Sequence, residues 1–320
     1  MQQASATVMR RRIVEGMDNL LVNFVIMPYP FSSAPVKPAT RNGVSPSCIV
    51  TPAGNWKTLL AFLTDRFPHV STDKWVKRLQ ESGMGDAAFE AGQRFYYFRE
   101  VEHEECIPFE AQILWQNDHL LVADKPHFLP VIPSGKYVQE TLLVRLKNAL
   151  GLEALSPIHR IDRDTAGLVL FSKQVASRGM YQRLFRERQV DKTYECIAPW
   201  KPDLTFPLTR HTRITADKHF MQQTEVEGEP NALTTISLQE TNGKIARYQL
   251  KPITGQRHQL RVHMSALGLP IVHDGIYPIL TPEGSIDYSR PLQLLAKTLA
   301  FTDPLTGAWL HFESLRVLRM

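Results

Sequence analysis

The fifteen residues His159 to Lys173, HRIDRDTAGLVLFSK, constrain the fold more than any other stretch of the chain. Asp162 stands between Arg160 and Arg163, a turn-forming Thr165-Ala166-Gly167 follows, and Leu168-Val169-Leu170-Phe171 is an unbroken apolar run. Such a run, bounded by turn signals, predicts a buried strand, and the charged residues before it predict a loop at the rim of the core. The two flanking arginines are expected to hold the Asp162 carboxylate ionised and to fix its direction, as a nucleophile requires. A surface ion-pair loop leading into a core strand has the same look, so an isolated Arg-x-Asp-Arg leaves both readings open.

With 320 residues, 43% of them hydrophobic and 22% charged, the chain can bury a sizeable core as one large domain or two ordinary ones. Its 37 basic and 32 acidic residues leave a net charge of +5, which suits an anionic partner such as RNA but does not by itself identify one. Cys48, Cys106 and Cys196 lie far apart with no CxxC, so free thiols and a reducing, cytoplasmic setting are expected. His103-Glu104-Glu105-Cys106 lacks the spaced partners of a zinc site, and no metal is expected there. No segment approaches the roughly 20 apolar residues of a membrane span. Arg10-Arg11-Arg12 ahead of Leu20 to Met27 has the order of a secretory leader, but Glu15 and Asp18 interrupt it and no convincing cleavage site follows.

Residues 1–50 are expected to form an irregular extension, with a Pro-rich linker from Met27 to Pro38. Residues 51–107 predict a small module: helices over Thr58 to Leu63 and Thr72 to Leu79, the second capped by Ser71 or Thr72, then a strand over Phe95 to Phe98. Residues 108–320 read as one long domain. It opens with a hairpin of Ile113 to Trp115 and Leu120 to Ala123, closed by Asp124-Lys125-Pro126. Helices are expected over Gln139 to Leu150, ending at Gly151, and over Gln174 to Arg188. The second helix carries Arg178, Arg183, Arg186 and Arg188, which fit either a stripe that binds a phosphate backbone or a solvated face. Strands over 192–198, 234–238, 245–253, 292–301 and 309–317 follow without a βαβ rhythm. That texture predicts an α+β fold on a mixed, largely antiparallel sheet.

Two further islands carry chemistry. Asp191 to Cys196 opens a strand that puts Lys192 and Tyr194 on one face. Ile253 to Tyr277, ITGQRHQLRVHMSALGLPIVHDGIY, starts with a Thr254-Gly255 turn, predicts a helix from Gln256 onward, and ends it with Gly268 and Pro270. Taken singly, these islands are a core tyrosine and a basic amphipathic helix.

Together and in this order, the three islands resemble the RluA-type pseudouridine synthases over roughly residues 108–318. The signature there reads His-Arg-Leu-Asp, and Ile161 replaces the leucine. The resemblance implies that Asp162 is the nucleophile, that Tyr194 lies against the target base, and that Arg261 pairs with Asp162. It also implies that Leu260 lines the uracil pocket and that Arg160, Arg163, Thr165, Lys192, Arg257, His258 and Gln259 help to bind substrate. The small module before residue 108 faintly resembles the RNA-binding module that often precedes this catalytic domain; a packing appendage is the other reading. Ribosomal RNA of the large subunit, transfer RNA or both are the implied partners, with no cofactor, and a monomer is expected. Two positions depart from the family pattern. Gln256 stands where an arginine is usual, with Arg257 one place later, and His273 replaces the glycine before Asp274. These departures admit a rival, an RNA-binding protein whose catalysis has decayed. A second rival is a hydrolase that uses Asp162 and Asp164 as a carboxylate pair.

Overall fold

The structure is a computed structural model that describes residues 37–85, 87–101, 103–281 and 286–320. The leader-like order and most of the Pro-rich tract therefore lie outside the described residues. Residues 37–50 are not irregular as expected. β1 (Ser47–Val50) is a strand, and Val44 is buried against Val138 and Val144. The Thr58 hydroxyl caps α1 (Leu59–Arg66) by accepting the Ala61 N–H at 3.1 Å, and Ser71 caps α2 (Thr72–Glu81). β2 (Arg94–Tyr97) pairs antiparallel with β1. Phe62, Trp75, Leu79 and Phe95 bury into a small core of this module's own. Beyond it, Glu104 accepts the backbone N–H groups of Val138, Gln139 and Glu140 at 2.7, 2.9 and 2.6 Å and so ties the connector down.

β3 (Gln112–Gln116) and β4 (Leu120–Lys125) form the expected hairpin, its turn held by Asn117 Oδ1, which accepts the Leu120 N–H at 2.7 Å. α3 (Leu142–Leu150) begins three residues later than expected because the Thr141 hydroxyl is the cap, and Gly151 ends it at φ 66°. β5 (Ser156–Pro157) precedes β6 (Ala166–Ser172), all seven residues of which are buried. α4 (Val175–Arg186) leads to β7 (Asp191–Pro199), β8 (Leu208–Ala216), β9 (Gln223–Val226), β10 (Ala232–Thr241) and β11 (Ile245–Pro252). α5 (Gln259–Ala266), β12 (Leu294–Thr302) and β13 (Trp309–Glu313) complete the chain. No described helix is long and apolar enough to cross a membrane.

One eleven-stranded sheet runs β3-β4-β6-β12-β7-β11-β10-β8-β9, with β13 on β12 and β5 on β6. Among the described strands only β6 with β12 is parallel, so the sheet is mixed and mostly antiparallel, as the strand texture predicts. At that crossing Gly167 has φ +109°, and a Cβ there would lie 2.3 Å from the Ala296 carbonyl oxygen. The glycine of the signature is thus required by close approach of two backbones. Two expectations need correction. β8, where the sequence predicts no strand, carries Arg210 to Thr212 paired with β10 and Arg213 paired with β9. β13 stops at Glu313, short of residue 317, because the Ser314 hydroxyl and the Leu315 N–H turn to the buried Asp124 carboxylate at 2.9 Å.

Candidate active site

The loop before β6 is held from below by buried and half-buried side chains. His159 Nε2 accepts the Leu170 N–H at 3.1 Å, and its ring stacks on Phe185 with centroids 4.6 Å apart. Lys125 is fully buried, and its Nζ donates to the carbonyls of Pro126 and Arg163, each at 2.9 Å. Burial lowers the Lys125 pKa to about 7 against the pull of Asp164 and Asp162. His127 Nδ1 donates to the Asp164 carbonyl at 2.8 Å, and the Thr165 N–H closes the turn onto the Asp162 carbonyl at 3.2 Å. The loop backbone is therefore pinned on both sides of Asp162.

The flanking arginines do not hold Asp162, contrary to the sequence expectation. Arg163 Nε turns to Asp164 at 2.8 Å, and Arg160 is exposed. The ion pair comes from α5: Arg261 Nη1 lies 3.4 Å from Asp162 Oδ2. Arg261 also donates to Asp274 from Nε at 2.8 Å and from Nη2 at 2.6 Å, so its tighter partner is Asp274. Burial opposes the Arg261 charge, but the hydrogen bonds and charge of Asp274, with Asp162 and Asp164 behind them, outweigh it and raise the pKa. Asp274 Oδ1 is held from the backbone as well, accepting the Ile276 and Tyr277 N–H groups at 2.8 and 3.0 Å.

A cleft of about 880 Å³ opens over Asp162. The candidate catalytic and substrate-binding residues implied by the resemblance line it: Asp162, Tyr194 and Arg261, with Arg160, Arg163, Thr165, Lys192, Arg257, His258, Gln259 and Leu260. Leu260 and Leu294 are buried and apolar beside Tyr194. Burial, and then the Asp162 charge, raise the Tyr194 pKa, so this residue is a neutral phenol. Burial lowers the pKa of Lys192, and Arg188 adds to the effect. Gln259 reaches the wall, yet its amide is fully committed to the fold. Oε1 accepts from the Thr254 hydroxyl and the Gln256 N–H, while Nε2 donates to the Leu233 carbonyl and the Thr234 hydroxyl. That brace is also why α5 begins at Gln259 and not at Gln256.

The four arginines expected on one helix do not form one stripe, and Arg188 lies beyond the end of α4 at φ 58°. Arg186 and Arg188 reach the cleft, whereas Arg178 donates to the Ala154 carbonyl at 2.6 Å and Arg183 lies 3.8 Å from Glu187. Arg210 is held by Glu225. His273 keeps the turn a glycine would make by adopting φ 63°, so Asp274 still arrives beneath Arg261. Asp164 is bound to Arg163. Burial opposes its charge, but that arginine's attraction and hydrogen bond win and lower its pKa, so it holds no proton to donate as a glycosidase acid would. Among the described residues no three His, Cys, Asp or Glu side chains converge as a metal site requires.

Asp162 and Arg261 both fall within a stretch that matches a known family. Residues 119–266 match the family described as RNA pseudouridylate synthase. The dual-specificity RNA pseudouridine synthase RluA of Pasteurella multocida is 34% identical over 211 residues, which cover 63% of this chain and 91% of that protein. The chain belongs to the RNA pseudouridylate synthase family. Pseudouridylate synthase RPUSD2 of Mus musculus is 32% identical over 185 residues, 57% of this chain and 33% of that protein. The chain thus spans about a third of that longer relative. The fold of this pseudouridylate synthase family member is shared with human RNA pseudouridylate synthase domain containing 1. That structure superposes with a TM-score of 0.54 at 22% identity, over 67% of this chain and 86% of the human one.

Sequence reasoning missed three residues of the site. Asp274 was within a quoted motif, but nothing in its spacing marks it as the bidentate partner of Arg261. Tyr277 closes the same turn. Lys125 reads as a strand end, and only its burial reveals that it supports the Asp162 loop.

Proposed function

We propose that this chain isomerises uridine to pseudouridine in structured RNA, ribosomal RNA of the large subunit, transfer RNA or both, with Asp162 as the nucleophile. One observation carries the reading. The Asp162 side chain, 30% exposed, faces a cleft with the 2% exposed Arg261 at 3.4 Å and an apolar wall alongside. The reaction breaks the bond from uracil N1 to ribose C1′, turns the base and joins C5 to C1′, after which C5 loses its proton. No electron is gained or lost, so the chemistry needs a nucleophile, a proton acceptor and exclusion of water. Asp162 either bonds to C1′ or assists elimination to a glycal. Arg261 pairs with it at 3.4 Å and fixes its direction. Tyr194 enters as a neutral phenol and packs on the base, with Leu260 completing the wall.

Extruding the uridine from its stack costs a few kcal/mol, which backbone contacts at the rim offset. Arg160, Arg163, Arg186, Arg188, Lys192 and Arg257 supply those contacts. In the 51–107 module Lys77 pairs with Glu81 and Glu100, and Arg78 lies over Trp75 and Tyr97. We therefore assign that module a packing role. Three free cysteines suit the cytoplasm.

The test is pseudouridine mapping on ribosomal and transfer RNA from cells lacking the gene, complemented with wild type or Asp162→Asn, beside turnover of unmodified RNA by purified protein. The expected result is a site lost on deletion and regained only with wild type. Release of free uracil would instead favour hydrolysis, and RNA binding without product would favour the decayed enzyme.

A further inference from the structure

We infer that His258 and Tyr277 form a positioning pair for Asp162, in which His258 presents an Nε2–H donor to one carboxylate oxygen while Arg261 holds the other. The inference rests on the synthase reading for its effect on turnover, and on geometry for the pair itself. His258 precedes α5 in the left-handed conformation, φ 55°, and its side chain is 8% exposed. Nδ1 lies 3.0 Å from the Tyr277 hydroxyl, and Nε2 lies 3.9 Å from Asp162 Oδ1. Arg261 approaches the opposite oxygen, Oδ2. Tyr277 belongs to the same cluster, since its N–H donates to Asp274 and its ring centroid is 5.5 Å from the Arg261 guanidinium carbon.

The hydroxyl of Tyr277 fixes the tautomer. It accepts the Gln223 N–H of β9 at 2.7 Å, and among the described residues its one other hydrogen-bond partner is His258. Its own proton therefore goes to Nδ1, which leaves the imidazole proton on Nε2, facing Asp162. Burial lowers the His258 pKa, opposed by Asp162 and reinforced by Arg261 and Arg257, so the ring is neutral. Asp162 is thus directed by one cation and one neutral donor. The 3.9 Å gap exceeds a hydrogen bond, and it shortens when the ribose fills the cleft, as such contacts do on substrate binding.

The conformation of residue 258 supplies a discriminating test. Asparagine tolerates the left-handed region better than glutamine, so a purely structural role ranks His258→Asn above His258→Gln. A donor role ranks them the other way, because the glutamine amide reaches the place of Nε2 and the asparagine amide does not. With unmodified RNA, His258→Asn and Tyr277→Phe are expected to lower kcat by about tenfold, the scale of one hydrogen bond, with KM within about twofold. His258→Gln recovers most of the rate. Asparagine equal to or better than glutamine, Tyr277→Phe at wild-type kcat, or a change in KM alone overturns the proposal. Long-range 15N–1H NMR of the wild-type chain reads the tautomer without turnover. An Nε2–H ring that loses this preference in Tyr277→Phe supports the pair even if no pseudouridine forms, in which case the synthase reading alone fails. An Nδ1–H ring overturns the pair whatever the activity.

Discussion

Arg261 makes two acidic contacts of unequal strength, and that inequality sets what its loss does. Asp274 has no exposed side-chain surface, so Arg261→Ala leaves a buried carboxylate without its partner, at a cost of about 3–5 kcal/mol. Arg261→Lys keeps the charge but not the two-pronged geometry, and is expected to lose activity with a smaller drop in stability. Urea denaturation beside turnover separates these outcomes; an Arg261→Ala midpoint equal to wild type would remove Asp274 as the main partner. Asp162→Asn should behave oppositely. Its side chain is partly exposed, and Arg261 retains Asp274, so the melting temperature stays within a few degrees of wild type while product formation is abolished. Near-normal turnover of that variant would displace Asp162 as the nucleophile. At this scale the sequence revealed which residues meet but not how they pair. The motifs brought Asp162, Tyr194 and Arg261 to one wall. Yet the expectation that Arg160 and Arg163 hold Asp162 failed, because adjacent residues on a loop point apart while α5 supplies the cation from 99 positions away.

Elements with strong local signals were the legible ones. β6 follows from an unbroken apolar run and α3 from its Gly151 stop. The start of α5 was displaced by a side chain, since Gln259 folds back on Thr254 and Gln256 and holds that turn out of the helix. β8 was missed because Thr209 to Arg213 are polar and exposed or half-buried, leaving Ile214 as its one buried residue, and it is defined by long-range pairing to β10 and β9. Gly167 gives an element-scale prediction. Gly167→Ala places a methyl group into the Ala296 backbone in a left-handed conformation, and must part the parallel β6–β12 pair to fit. A loss of roughly 2–4 kcal/mol is expected by chemical denaturation, in line with overpacking plus backbone strain. Because the Asp162 loop leads directly into β6, activity should fall with it; a fully stable Gly167→Ala protein would show that the two strands part freely.

Across the whole molecule, buried bases make stability rise with pH. His127 and His159 support the Asp162 loop and His263 lies in α5, and burial lowers their pKa values to about 4, 3 and 4 from an ordinary 6.5. Between those values and 6.5 the unfolded chain binds protons that the folded chain refuses, so stability is lost as pH falls through that window. For His263, wholly buried between the Thr212 and Thr234 hydroxyls, the loss on reaching pH 4 is of order 3 kcal/mol. Lys125 extends the same slope upward. Its folded pKa of about 7 lies below the ordinary 10.5, so between those values the unfolded chain again holds the extra proton and stability rises. Above pH 9 the slope reverses, because burial raises the Cys196 and Tyr194 pKa values and the unfolded chain sheds those protons first. The free energy of unfolding should therefore climb from pH 4.5 through pH 7 and on to about pH 9, past the ordinary optimum between about 5 and 8. Denaturation at pH 5, 7 and 9 checks it, and Lys125→Met assigns the upper part. That variant should be less stable at pH 9, where it leaves the Pro126 and Arg163 carbonyls without their donor, and should show no rise between 7 and 9. A wild-type curve flat between 7 and 9 would mean that Lys125 keeps an ordinary pKa through water reaching it beneath the Asp162 loop.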